Sequence, residues 1–269
     1  ATNNSGATIT LSGANSTGMF GLAVGSTKST LTNSGTINGN GEGAVGIAVN
    51  DSKATNSKNA TINLTAKKST GMFGEAGSTV SNAGKIETKT ATPTTTEEGI
   101  VGIAVKASTA TNETTGQIIL GTAYSTGMFG EASSTITNAG EITGNNEKAV
   151  GMAVKGSIAT NNSGATITLN GTNSTGMFGE ANGTVKSDVT NSGTITGKGE
   201  GAVGVAVIGS DATNSNGATI SLQAKKSTGM FGENENSTKS TITNKGSITG
   251  NNEKAVGMAV KGSIATNNS

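Results

Sequence analysis

Ser69-Thr-Gly-Met-Phe-Gly74 decides how this chain folds, because it does not occur only once. The same hexapeptide begins at Ser16, Ser125, Ser174 and Ser227, at successive intervals of 53, 56, 49 and 53 residues. A second block, Val45-Gly-Ile-Ala-Val49, recurs in related form around Gly102, Gly151, Gly204 and Gly257. Self-similarity at a fixed period is the signature of a solenoid or an array, in which each unit buries its apolar face against the next.

Each unit splits into two related halves. Leu31-Thr-Asn33-Ser-Gly-Thr-Ile37 and Ala159-Thr-Asn161 leading to Ile167 share a small or apolar residue, then a polar one, then Asn. Those asparagines fall at 3, 33, 56, 82, 112, 138, 161, 191, 214, 244 and 267, in steps of 23 to 30 residues. The elementary period is therefore about 26 residues, and the five double repeats of about 53 contain about ten coils. Within a coil apolar residues alternate, as in Leu31 and Ile37, and Gly and Asn punctuate the strands, so the period is that of β-structure. The expected fold class is an all-β parallel β-helix, a β-solenoid running through 1–269 as a single continuous segment. Identical positions would stack about 4.8 Å apart, giving a rod of roughly 48 Å. Ala265-Thr-Asn-Asn-Ser269 repeats residues 1–5, which reads as a segment of a longer array.

Composition excludes most chemistry. Of 269 residues 42 are Gly and one is Pro; Cys, His and Trp are missing, and all 18 basic residues are Lys. Imidazole and thiolate ligands for zinc, iron or copper are thus unavailable, as are a triad histidine and a cysteine nucleophile. Net charge is +1 and the aromatics are five Phe and one Tyr, too little for a nucleic-acid footprint or stacking platform. No apolar run is long enough for a membrane-spanning helix, and the first residues do not form a signal peptide. No catalytic, cofactor-binding or metal site is expected: Asp51, Asp188 and Asp211 lie in separate coils, and neither a paired-carboxylate site nor the Gly-Gly-x-Gly-x-Asp calcium repeat is evident.

Three features remain as candidates. The series Asn3, Asn33, Asn56, Asn82, Asn112, Asn138, Asn161, Asn191, Asn214 and Asn244 shares parity with inward apolar positions. A structural ladder is preferred over a ligand groove, since a site would not recur in every coil. In Met-Phe, burial of Phe with Met at a corner is preferred over an exposed Phe row; Ala44, Gly46 and Ala48 would then form an outward strip opposite Val45, Ile47 and Val49. The coil with the only Pro carries seven extra residues in Glu87-Thr-Lys-Thr-Ala-Thr-Pro-Thr-Thr-Thr-Glu-Glu98. Lys89, Thr92, Pro93, Thr94 and Glu97, with Tyr124, form the candidate partner-binding loop, although a neutral surface loop is the preferred reading of the insertion. Deletion of residues 89 to 96 is expected to leave the fold intact.

Asn33-Ser-Gly-Thr-Ile37, Gly41-Glu-Gly-Ala-Val-Gly-Ile-Ala-Val49 and Ser-Thr-Gly-Met-Phe-Gly resemble the passenger repeats of the large fusobacterial type V autotransporter adhesins, over essentially the whole chain. The resemblance implies a right-handed parallel β-helix, extracellular display on a bacterial cell surface, and anchoring in the outer membrane through a region outside this segment. It also implies attachment to a host-cell receptor or glycan or to partner bacteria, with no contribution from a cofactor. The residues themselves leave other functions open. One is a self-associating rod that packs laterally. Another is ice binding through Thr8-Ile-Thr10, Thr166-Ile-Thr168 and Thr194-Ile-Thr196, a column interrupted at Lys85-Ile-Glu87. The last is a polysaccharide-active β-helix enzyme. A non-enzymatic rod that makes no membrane or nucleic-acid contact is the preferred reading.

Overall fold

A computed structural model describes residues 1–89, 92–95 and 98–268. Each coil contributes three short strands, such as Thr30–Asn33, Thr36–Gly39 and Val45–Asn50, and each strand pairs in parallel with its copies in the flanking coils. Three long sheets result. Sheet A has eleven strands and carries the Asn series; sheets B and C have ten each, and C holds the Met-Phe and Val-Gly-Ile-Ala-Val blocks. The chain is a parallel β-solenoid of about ten coils, and no α-helix is present among the described residues.

A single apolar core fills the lumen. Sheet A points Leu31, Ala54, Val80, Ala110 and Ile136 inward, sheet B contributes Ile37, Ile62, Ile86 and Ile118, and sheet C contributes Ile47, Met72, Ile103 and Met128. Met is thus buried at 0% exposure in four of the five hexapeptides, while the Phe beside it faces outward. This corrects the expectation that Phe is the buried partner. Phe73 and Glu75 are two residues apart and share a face, so burying Phe would have taken Glu75, Glu131, Glu180 and Glu233 into the lumen uncompensated.

The expected outward strip of Ala44, Gly46 and Ala48 is also corrected. Ala44 and Gly46 are buried, Val45 is turned outward, and only Ala48 keeps the expected face. Strict alternation slips by one residue at Gly46, where both Gly46 and Ile47 point inward. A Cβ on Gly46 would sit 2.5 Å from the carbonyl oxygen of Gly71 in the next coil, and one on Gly71 would sit 2.5 Å from that of Gly102. Glycine is required there because the backbones of successive coils approach too closely for any side chain.

Packing explains why the period is 53 rather than 26. At the corner from sheet C to sheet A, Gly74 faces Val80 and Gly130 faces Ile136, whereas in the alternate coils Val49 precedes Ala54 and Val105 precedes Ala110. A Cβ on Gly74 would come within 2.6 Å of Val80 Cγ2. Large and absent side chains are exchanged between the two sides of the corner, so the summed volume stays constant while the sequence alternates. We expect Gly130→Val to destabilise the rod by about 1–3 kcal/mol through overpacking. Adding Ile136→Ala should recover most of that loss, as read from denaturant midpoints in a double-mutant cycle.

Candidate functional site

The asparagines end the sheet A strands at the corner leading to sheet B, and all are buried except at the last coil. Each side-chain amide donates to the carbonyl oxygen of the Asn in the following coil. From Asn3→Asn33 to Asn244→Asn267 there are ten such bonds, of 2.7 to 2.8 Å. The second amide proton of Asn138 goes to the Gly140 carbonyl at 3.2 Å, and its oxygen also accepts the Gly140 N–H at 3.3 Å. Both ends of the side chain are therefore engaged, as a buried amide requires. All ten bonds run in the same sense, so their dipoles align and reinforce one another along the rod.

A second ladder lies at the corner from sheet C to sheet A and was not anticipated. Ser29, Ser52, Ser78, Ser108, Ser134, Ser157, Ser187, Ser210, Ser240 and Ser263 stack there, each of the first nine donating its backbone N–H to the hydroxyl of the next at 3.0 to 3.2 Å. The signal was in the sequence: every one of these serines stands four residues before a ladder asparagine. Their hydroxyls also close the neck of whatever precedes them. Ser78 Oγ donates to the Glu75 carbonyl across a tight turn, and Ser187 Oγ makes the same bond to the Glu180 carbonyl across a longer excursion. The neck is the same at either length, so excursions can grow without disturbing the rod. With these ladders in place, the only buried side-chain polar atom without a hydrogen-bond partner among the described residues is Glu235 Oε2.

The longer connections after Met-Phe-Gly are small antiparallel hairpins, closed by Val24–Thr27, Asn182–Val185 and Glu235–Thr238. Val24 and Val185 are exposed at their tips. Lys186 ties two of the hairpins together, its ammonium lying 2.9 Å from both Asp211 Oδ1 and the Lys239 carbonyl. The same region changes the reading of the acids. Asp188 and Asp211 are in separate coils but are direct partners in the sheet A register, so two of the three aspartates stack beside Lys186.

The candidate loop and Tyr124 share one corner. The insertion follows the sheet B strand Lys85–Thr88, and Tyr124 follows that strand's neighbour Gln117–Leu120 in the next coil. Pro93 is buried rather than displayed, while Thr92 and Thr94 are exposed. The Glu98 carboxylate accepts from the Thr94 N–H at 2.8 Å and hydroxyl at 2.9 Å, and pairs with Lys67 at 2.9 Å. These donors, the Thr94 N–H foremost, hold the Glu98 carboxyl at about 2, far below the usual carboxylate range. Lys89 turns back to Glu87 at 2.8 Å. Tyr124 is engaged by Lys148, which donates to its hydroxyl at 2.6 Å and sits 4.5 Å from the ring centroid; that hydrogen bond raises the Lys148 pKa. Glu97 lies outside the described residues. No group of three or more potential acidic, His or Cys metal ligands comes together among the described residues.

A parallel β-solenoid with buried ladders defines the class of protein, that of the β-helices. The model of the BigA third pectate lyase-like domain matches residues 38–162 and again residues 144–268, an offset of two double repeats. The two matches together span most of the chain, and the chain belongs to this family of pectate lyase-like domains. No curated protein matches it in sequence. Among solved structures, a double mutant of the periplasmic alginate epimerase AlgG is similar at 8% identity and a TM-score of 0.23, covering 88% of this chain and 77% of that one. A TibA fragment hyper-glycosylated by TibC is similar at 14% identity and a TM-score of 0.20, covering 98% of both chains. Superposition that loose carries no inference about chemistry.

Two substitutions test this geometry. Asn138→Leu leaves the Asn112 amide and the Asn161 carbonyl oxygen without their side-chain partners, at about 1–3 kcal/mol for each buried group. A lowered denaturant midpoint should be accompanied by faster hydrogen exchange at the Gly140 N–H. Five residues, 40–44, join sheet B to sheet C in the second coil, against twelve, 89–100, in the coil with the insertion. Removing residues 89–95 therefore restores the standard corner, and circular dichroism and the unfolding midpoint should stay within error of the parent. The eight-residue cut from 89 to 96 is one residue too long for the corner.

Proposed function

We propose that this chain is a structural segment of a bacterial surface adhesin of the autotransporter type, a rigid stalk that carries binding loops outward from the cell. The observation that carries the reading is the pair of hydrogen-bonded side-chain columns running from the first coil to the last. A device repeated in every coil serves reach and stiffness, since a binding site needs differences between coils. The resemblance of the Ser-Thr-Gly-Met-Phe-Gly and Asn-Ser-Gly-Thr-Ile repeats to fusobacterial passenger repeats supports the finer assignment. With it come an extracellular location, outer-membrane anchoring through a region outside these residues, and attachment to host receptors, host glycans or partner bacteria.

In this reading the repeats are scaffold, and any recognition lies in the excursions: the insertion at Pro93 and the hairpins at Val24, Val185 and Glu235. Ser closes each hairpin neck identically, so the tips can diverge in sequence at no cost to the rod. No enzymatic activity is assigned. The one arrangement that favours an enzyme is the stacked pair Asp188 and Asp211 with Lys186 beside it, a set that appears in only one place along the rod.

Two assays separate these readings. Incubated with pectate or alginate, the purified chain should produce neither unsaturated products nor epimerised residues; activity abolished by Asp211→Asn would establish an enzyme instead. In a screen against host glycans, host cells and partner bacteria, any saturable binding should be lost when residues 89–95 are deleted and the three hairpins are truncated. Saturable binding that survives deletion of residues 89–95 and truncation of all three hairpins would place recognition on the scaffold itself and overturn the stalk assignment.

A further inference from the structure

The three outward faces of the rod differ in kind. Sheets A and B present mostly Thr, Ser, Asn, Lys and Glu, whereas sheet C presents three parallel rows. The first alternates Val and Thr, as in Val45, Thr70, Val101 and Thr126. The second alternates Phe and Ala: Phe20, Ala48, Phe73, Ala104, Phe129, Ala153, Phe178 and Ala206 are successive partners in the register. The third alternates charge over its central stretch, with Glu75, Lys106, Glu131, Lys155 and Glu180 in line. Leu22 and Asn50 precede this stretch, and Ile208 separates it from Glu233 and Lys261. Phe20 is 65% exposed and the other phenylalanines are half-buried.

The second and third rows are locked in phase. From Phe73 onward Phe and Glu come from the same coils, because both belong to Thr-Gly-Met-Phe-Gly-Glu. Ala104 and Ala153 share their coils with Lys106 and Lys155, whereas Leu22 replaces Glu in the first coil and Asn50 and Ile208 replace Lys beside Ala48 and Ala206. We propose that this face docks a second copy of the chain, antiparallel and face to face, about a two-fold axis that lies along the strands. That axis sets each row against its own copy with the coil order reversed. When all ten coils overlap, odd coils meet even ones, so Phe129 lies opposite Ala153 and Phe178 opposite Ala104. The same offset sets Glu131 opposite Lys155 and Glu180 opposite Lys106. One displacement satisfies the Phe/Ala row and the two central charge pairs together, while it sets Glu75 opposite Ile208, Asn50 opposite Glu233 and Leu22 opposite Lys261. A two-fold axis along the rod would instead lay the Val/Thr row on the charged row, leaving the charges without partners.

Area supports the same occupant. Ten coils at the strand spacing, by a strand of six residues, give a face of roughly 900 Å² per copy, and a stable interface buries about 800 Å² on each partner. Lys106 pairs with Glu131 at 3.5 Å and Lys155 with Glu180 at 3.0 Å within one copy. Their head groups remain partly exposed, so each can be shared with the opposing chain.

Sedimentation velocity across micromolar to high micromolar concentration should show a reversible monomer–dimer equilibrium. Lys106→Glu alone should weaken it by about tenfold or more, by setting like charges across the interface. The double variant Lys106→Glu with Glu180→Lys should restore it, although it worsens the contacts with Glu131 and Lys155 inside each chain. The chain has no cysteine, which permits a test of register: Lys106→Cys with Glu180→Cys places the two thiols three coils apart in one copy but opposite each other across the dimer. Oxidation should give a covalent dimer. A chain that stays monomeric at the highest concentration, or a dimer that neither cross-links through this pair nor responds to Lys106→Glu, overturns the proposal.

Discussion

Each buried position in this molecule has its own copy as its nearest neighbour, one strand spacing above and below. The asparagine column shows what that constraint selects. An amide carries donors and an acceptor in one planar group, so a stack of identical amides can satisfy itself without end, every nitrogen donating to the next oxygen. A carboxylate or an ammonium in the same column would meet a like charge in every coil. The serine column solves the same problem with a hydroxyl that accepts from the backbone of the preceding coil and donates to its own turn. Gly46 and its copies solve it by having no side chain.

From that constraint follows the division of the molecule into a fixed lumen and a permissive surface. Inside, volumes are exchanged between neighbouring positions, Gly against Val or Ile in one coil and Val against Ala in the next, so that each coil is filled equally. Outside, connections leave the rod through necks closed by the serines. The hairpins at Val24, Val185 and Glu235 therefore add surface without altering the stack, while the insertion at Pro93 leaves the rod at another corner, between sheets B and C. A stalk with displayed excursions is the functional form this physics suits, and the phased rows on sheet C give it one face fitted to a partner of its own kind.

Much of this was legible in the residues. The hexapeptide repeats, the 26-residue period and the alternation at Leu31 and Ile37 point to a parallel β-solenoid, because short strands repeated at a fixed length bury their apolar face by stacking on their own copies. The asparagine column could be read from its parity with inward residues. The outward face of Phe73 was equally readable from Glu75, since two residues along a strand share a face and a charge fixes which side is wet. The serine column had its signal in the constant four-residue spacing ahead of each asparagine.

Other features required the tertiary structure. That Gly46 and Ile47 both point inward breaks the period-two pattern, and only the 2.5 Å approach of the next coil's carbonyl explains it. The stacking of Asp188 on Asp211, the joining of two hairpins by Lys186, and the fastening of Pro93 through Thr94 and Glu98 depend on which coils are neighbours and on where long side chains reach. The sequence by itself determined the architecture, because a repeated unit can satisfy its buried groups only by stacking. The tertiary structure decided which surface residues meet, because contacts across coils depend on register and corner geometry that a linear period does not contain.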